Sequence, residues 1–212
     1  ITWQDILQHH RHLRAYRLQS KLILVTTAGL LLGGLLFFGL YEFQLPQWEG
    51  LSTGEKVLAA AFQSATPRTA GFNTVDLTAL SAPSQLLMIL LMLTGGSPGS
   101  TAGGFKTTTL AVLLLSAFAV FRRRSNAHCF GRRLAEPALR NASGMLRCYL
   151  VLCLTGGALI CWLEGIPLMS VLFEAASAIG TVGLSLGVTP ALGTVSRIIL
   201  IFLMYVGLVG GL

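Results

Sequence analysis

The sequence predicts an all-α integral membrane protein in which a unit of helix, short re-entrant helix and helix occurs twice in tandem. Three observations predict this. The chain is 53% hydrophobic and only 11% charged, with a mean hydropathy of +0.72, which excludes a globular domain with an ordinary polar surface. Its basic residues are grouped between apolar runs rather than spread along the chain. Finally, Phe62-Gln63-Ser64-Ala65-Thr66-Pro67-Arg68-Thr69-Ala70-Gly71-Phe72-Asn73 resembles Phe173-Glu174-Ala175-Ala176-Ser177-Ala178-Ile179-Gly180-Thr181-Val182-Gly183-Leu184-Ser185, with one inserted residue.

The elements follow in order. Residues 1–21 form a basic segment in which His9, His10 and His12 read as part of a solvated juxtamembrane stretch rather than as metal ligands. Leu22 to Tyr41 is free of charge and has the length that crosses a ~30 Å hydrocarbon core at ~1.5 Å per residue. A polar, basic segment of some twenty residues precedes it, which a signal peptide would not have. Ser52-Thr53-Gly54-Glu55 matches a capping box and starts a helix running to about Ser64, too short to cross. Ser84 to Phe121 has 38 residues and as one helix would be ~57 Å long, so it must break or tilt strongly. Gly95 to Gly104, with Pro98 inside, is the predicted break, where Ser97, Ser100 and Thr101 can satisfy freed backbone groups. The first repeat therefore occupies residues 22–121, a basic loop residues 122–142, and the second repeat residues 143–212. In the second, Pro167 suits the first turn of a short helix that ends before Gly180. The chain starts at Ile1 and stops at Leu212 inside an apolar run, so the expectation is a truncated second repeat in a piece of a longer protein.

The net charge of +7 is explained by topology. Arg11, Arg14, Arg17 and Lys21 precede the first span, and Arg122, Arg123, Arg124, Arg132, Arg133, Arg140 and Arg147 lie between the middle apolar runs. These mark the cytoplasmic side. Glu42, Glu49, Asp76 and Glu164 fall on the opposite side, and no nucleic acid is needed to account for the charge. Cys129 lies on the cytoplasmic side, Cys148, Cys153 and Cys161 in or beside a span, and none has metal-ligand spacing.

Enzyme motifs fail on specific residues. Gly95-Gly96-Ser97-Pro98-Gly99 fits a nucleophile elbow, but both aspartates lie upstream and Glu136 follows His128, so the order of acid and histidine is wrong. Gly99 to Gly104 has the spacing of a phosphate-binding loop, but Phe105 separates it from Lys106. The chemistry points instead to a cation path. Short helices that stop at mid-membrane present carbonyl ends carrying roughly half a negative charge. The backbone after them, Thr69 to Asn73 and Thr181 to Ser185, must be non-helical at membrane depth, which is tolerated only in buried protein or at a watery cavity. Gly71 and Gly183 can take positive φ there and turn carbonyls into a pore. Such oxygens replace a cation's hydration shell in potassium channels, whose TVGYG loop begins with the three residues Thr181-Val182-Gly183.

Together Thr66 to Thr74, Gly95 to Thr108 and Ile179 to Ser185 resemble motifs of the Trk/Ktr/HKT superfamily of potassium transporters, specifically the membrane subunit of the bacterial Trk and Ktr systems, over nearly the whole chain. The resemblance implies tandem M1-P-M2 repeats, two of an expected four, matching the third and fourth. It implies potassium uptake in a multi-pass subunit of the inner or plasma membrane, with no enzyme activity and no organic cofactor. It assigns a potassium filter to Thr69, Ala70, Gly71, Phe72, Asn73, Thr181, Val182, Gly183, Leu184 and Ser185. The intramembrane gate would comprise Gly95, Gly96, Ser97, Pro98, Gly99, Ser100, Thr101, Ala102, Gly103, Gly104 and Lys106. Lys106 reads either as an electrostatic barrier or as a lysine snorkelling to the interface. Arg68 would brace pore-helix carbonyls or face the outer vestibule, and Arg197 would sit at the outer interface. Leu208 stands where the family commonly has an arginine. Glycine at both filter positions favours potassium over sodium. Implied partners are membrane lipid, a second copy forming a homodimer, and a cytoplasmic nucleotide-binding regulatory subunit of the TrkA/KtrA kind. The alternatives are a non-conducting structural or regulatory protein derived from a half-transporter, and a sodium/potassium secondary transporter, where repeats are often inverted.

Overall fold

The computed structural model describes residues 16–100, 102–123, 128–129, 132–133 and 136–210. The histidines at 9, 10 and 12, and Thr101, lie outside them. Seven α-helices are described: α1 (Leu18–Leu40), α2 (Thr53–Ala65), α3 (Ala82–Leu93), α4 (Thr107–Phe121), α5 (Glu136–Glu164), α6 (Leu168–Gly180) and α7 (Thr194–Gly210). Among the described residues the predicted all-α fold is joined by one antiparallel ladder of two-residue strands, β1 (His128–Cys129) and β2 (Arg132–Arg133), in the basic loop.

The spans that include α1 (Leu18–Gln44) and α5 (Glu136–Glu164) are long and apolar enough to cross a membrane unaided, with mean hydropathies of 2.2 and 1.8. α1 begins four residues before the predicted run, because Gln19, Ser20 and Lys21 extend the helix without a breaker. α5 likewise reaches back into the expected loop at 122–142, since Pro137 sits in its first turn, where a missing N–H costs no helical bond. α2 starts with the predicted capping box, both arms of which form: Ser52 Oγ accepts from Glu55 N and a Glu55 carboxylate oxygen accepts from Ser52 N at 2.8 Å. α6 starts one residue later than predicted, with Pro167 as its N-cap, and retains Gly180 as its last residue.

The helices are held together by small residues at close crossings. A Cβ on Gly34 of α1 would stand 2.4 Å from Ser64 Oγ of α2, and Ser64 Oγ donates to Leu31 O at 2.7 Å. In the second repeat a Cβ on Gly156 of α5 would meet Leu203 of α7 at 2.8 Å, and one on Gly157 would meet Leu172 of α6 at 2.7 Å. Such glycines let helices pack where lipid removes the hydrophobic drive for association. α6 is the centre of the fold, packing on α3, α5 and α7, with Phe173, Ala175, Ala176 and Ile179 buried. Helix α7 buries Ser196, Leu200, Leu203 and Gly207, and exposes Ile198, Ile201, Phe202 and Tyr205, a stripe suited to lipid.

Candidate functional site

Both short helices end in loops with the same backbone signature. Thr69 and Gly71 have φ of 69° and 73°, and Thr181 and Gly183 have φ of 52° and 89°. Only one other non-glycine among the described residues, Arg123, has positive φ. A left-handed conformation costs an L-residue ~1–2 kcal/mol, so its recurrence at a β-branched threonine two residues before a glycine marks one construction used twice. Inverting every second residue flips the peptide planes, which allows successive carbonyls to share a side. Each loop is tied to the helix before it. Ala70 N and Gly71 N both donate to Thr66 O at 3.2 Å, and Thr66 Oγ1 donates to Phe72 O at 2.6 Å. Thr181 N donates to Ala178 O at 3.1 Å and Val182 N to Ser177 O at 2.9 Å. Val182 and Leu184 are buried while Gly183 between them is exposed, so the side chains anchor the loop and its backbone is left free.

The two loops meet. A Cβ on Gly71 would lie 2.1 Å from Val182 O, so glycine is required there both by φ and by space. In the same first loop Ala70, Phe72 and Asn73 are exposed, Phe72 at 70%.

The predicted break lies directly against this junction. Its helical interruption runs from Thr94 to Lys106, wider than the predicted Gly95 to Gly104, because Thr94 and Phe105 form a parallel bridge. Phe105 N donates to Leu93 O (3.1 Å), Gly95 N to Phe105 O (2.9 Å) and Thr107 N to Gly96 O (3.1 Å), closing the neck of the loop. Gly99 and Gly104 have positive φ, and a Cβ on Gly95 would meet Gly103 O at 2.0 Å. Next to Pro98 and Gly99, Ser100 Oγ donates to Ser97 O at 2.8 Å, one of the freed carbonyls. Gly103 N donates to Thr181 Oγ1 at 2.9 Å. Loop and repeat-two backbone are thus coupled by a hydrogen bond from a residue that must be glycine, since a Cβ would stand 2.6 Å from that hydroxyl.

Lys106 is tied to the loop it follows. Its Nζ folds back to donate to Ala102 O (2.7 Å) and Ser100 O (3.3 Å), holding the loop from within. Arg68 is half-buried with no hydrogen-bond partner at Nε, so this atom does not brace the helix carbonyls. Arg197, in the first turn of α7, donates from Nη2 to Pro190 O at 2.9 Å. Leu208 is exposed, whereas its neighbour Gly207 lies under the junction: a Cβ there would be 2.0 Å from Ile179 O.

Three acids play parts the sequence reasoning missed. Glu42, assigned above only to the outer side, is fully buried. Its carboxyl oxygens accept from Ser81 N (3.1 Å), Ser81 Oγ (2.5 Å), Ser84 Oγ (2.6 Å), Trp48 Nε1 (3.1 Å) and Gln47 Nε2 (3.3 Å). Glu164 does the same in the second repeat, accepting from Gly193 N (2.9 Å) and Ser196 Oγ (2.5 Å). The third, Glu174, accepts from the loop after Gly183. A signal for the first pair was present: each acid follows the small residue of its helix crossing, Gly34 or Gly156, by eight positions. In the outer loop Asp76 accepts from Thr78 Oγ1 (2.7 Å) and Thr78 N (2.9 Å), which hold its carboxyl below the usual carboxylate range.

Residues 10–212 match the family model for TrkH, cation transport protein. The chain belongs to the TrkH family. Among curated relatives it is 40% identical over 215 residues to the potassium/sodium uptake protein NtpJ of Enterococcus hirae, covering 99% of the chain and 47% of the relative. It is 36% identical over 210 residues to the Ktr system potassium uptake protein B of Vibrio alginolyticus, covering 98% of the chain and 46% of the relative. The chain therefore spans just under half the length of these relatives. The fold matches the crystal structure of the potassium transporter TrkH from Vibrio parahaemolyticus with a TM-score of 0.71 at 19% identity, over 97% of the chain and 45% of that protein. A TrkH-family chain with these helices is a multi-pass membrane protein of a transport family, not an enzyme.

Proposed function

We propose that the chain supplies half of a potassium-selective pore, with Thr69 to Asn73 and Thr181 to Ser185 as two of its filter segments. The observation that carries this is the repeated left-handed Thr-x-Gly backbone at the ends of α2 and α6, brought together at Gly71 and Val182. Carbonyls ordered in this way replace the hydration shell of a cation, and the helix carbonyl ends behind them add negative potential. Potassium is the ion because both filter glycines are present and the relatives named above are potassium or potassium/sodium uptake proteins. The loop from Gly95 to Lys106 is the gate: its Gly103 N–H reaches the filter threonine Thr181, and Lys106 secures its curled form. The remaining half of the pore comes from two further repeats. A second copy of the protein and a cytoplasmic nucleotide-binding subunit of the TrkA/KtrA kind are the proposed partners, with the basic face at Arg122 to Arg147 as the docking side.

The test is potassium and sodium flux into liposomes. The chain as given, a form joined to two further repeats, and that form with Gly183→Ser are compared. Potassium-selective flux that Gly183→Ser abolishes or opens to sodium supports the assignment. Absence of flux from every form refutes it and favours a non-conducting structural role.

A further inference from the structure

The two filter loops are not supported equally. The residue after the phenylalanine of each short helix is Glu174 in α6 and Gln63 in α2. Glu174 is 5% exposed and accepts three hydrogen bonds from the segment that leaves the filter: Ser185 Oγ (2.6 Å) and Leu186 N (3.0 Å) at Oε1, and Thr189 Oγ1 (2.6 Å) at Oε2. Ser185 Oγ in turn accepts from Gly187 N at 2.9 Å. One side chain thus fixes the segment that leaves Thr181 to Ser185 at three points, residues 185, 186 and 189. Gln63 is fully buried, yet neither Nε2 nor Oε1 has a hydrogen-bond partner among the described residues. The corresponding segment, Asn73 and Thr74, is exposed, and among the described residues the nearest tie is the bond from Thr66 Oγ1 to Phe72 O on the filter side.

We infer that Glu174 is a positioning residue for ion selectivity: it locks the second-repeat filter segment in a fixed cage, while the first-repeat segment at Gln63 is left free to adapt. The inference rests on the filter assignment proposed above. Its physical basis is that carbonyl cages discriminate ions only while the number and placement of their oxygens are held against contraction around a smaller ion. The carboxyl group does this without touching the ion. A glutamine at 174 would replace one of its two acceptor oxygens by a donor, which cannot serve Ser185, Leu186 and Thr189 in the same arrangement.

The experiment measures the potassium-to-sodium flux ratio of the full protein in liposomes, normalised to reconstituted protein, for the parent, Glu174→Gln, Thr189→Val and Glu164→Gln. Glu164 anchors α7 outside the filter and reports a purely structural loss. Glu174→Gln is expected to lower the ratio by roughly tenfold, the equivalent of one lost hydrogen bond to a charged group. Thr189→Val, which leaves the acid intact, lowers it in the same direction, and Glu164→Gln changes the amount of folded protein but not the ratio. A selective parent whose Glu174→Gln and Thr189→Val forms keep its ratio overturns this inference alone. A parent that carries no flux overturns the filter assignment and this inference with it.

Discussion

Replacing Gly71 by alanine separates the contact between the two loops from the ordinary cost of a left-handed residue. Gly71 and Gly165, the latter in the turn between α5 and α6, have nearly the same φ, 73° and 66°, but a Cβ at Gly165 would meet nothing within 4 Å, whereas at Gly71 it would stand 2.1 Å from Val182 O. Both substitutions therefore carry a conformational penalty of ~1–2 kcal/mol. Only Gly71→Ala also has to displace a backbone carbonyl, by about 1 Å to reach the ~3.3 Å at which carbon and oxygen ordinarily touch. That carbonyl belongs to the proposed ion cage. Gly71→Ala should therefore lose more stability in a detergent melt than Gly165→Ala, and should reduce potassium flux per folded molecule at least about tenfold, corresponding to ~1.4 kcal/mol, whereas Gly165→Ala should leave it near the parent value. Parental flux and selectivity in a folded Gly71→Ala protein would refute the claim that these loops meet at a conducting site.

Other substitutions probe the supports. Glu42→Ala leaves Ser81 N, Ser84 Oγ and Trp48 Nε1 without their acceptor, and should lower stability by about 1–3 kcal/mol for each donor that stays buried and unpaired, read as a fall in melting temperature. Glu164→Ala, with two donors rather than five, should shift it less in the same melt. Lys106→Met removes the Nζ bonds to Ala102 O and Ser100 O and should raise basal potassium flux by loosening the loop; unchanged or lower flux would argue against the loop as a gate. Asp76 has a lowered pKa, so the support it gives the turn at Thr78 is present above its usual value of ~3.9 and fades as pH falls through the lowered one. Hydrogen exchange at the Thr78 amide should follow that pH dependence, and Asp76→Asn should abolish it.

What was legible in the sequence was local. The capping box at Ser52 and Glu55, the left-handed glycines 71 and 183, and the break in the segment from Ser84 to Phe121 each follow from a few neighbouring residues, and each forms. The structure adds contacts between residues distant along the chain. Glu42 reaches Ser81 and Ser84 some forty positions away, and Glu164 reaches Ser196; the shared spacing from Gly34 and Gly156 pairs the two acids but does not name these partners. The partners of Lys106, Ala102 O and Ser100 O, are carbonyls that become available only once the loop has curled, so no neighbouring residue type announces them. α5 starts inside the expected loop because Glu136 and Pro137, in a stretch whose charge suggests a loop, also suit a first helical turn.

The central claim is that the two Thr-x-Gly loops line a cation site with their backbone, and it is tested most directly by locating a bound ion. Anomalous scattering from thallium, a heavy monovalent stand-in for potassium, should place ion density beside the backbone of Thr69 to Gly71 and Thr181 to Gly183, and excess potassium should remove it. Thallium bound elsewhere with none at these loops would contradict the account.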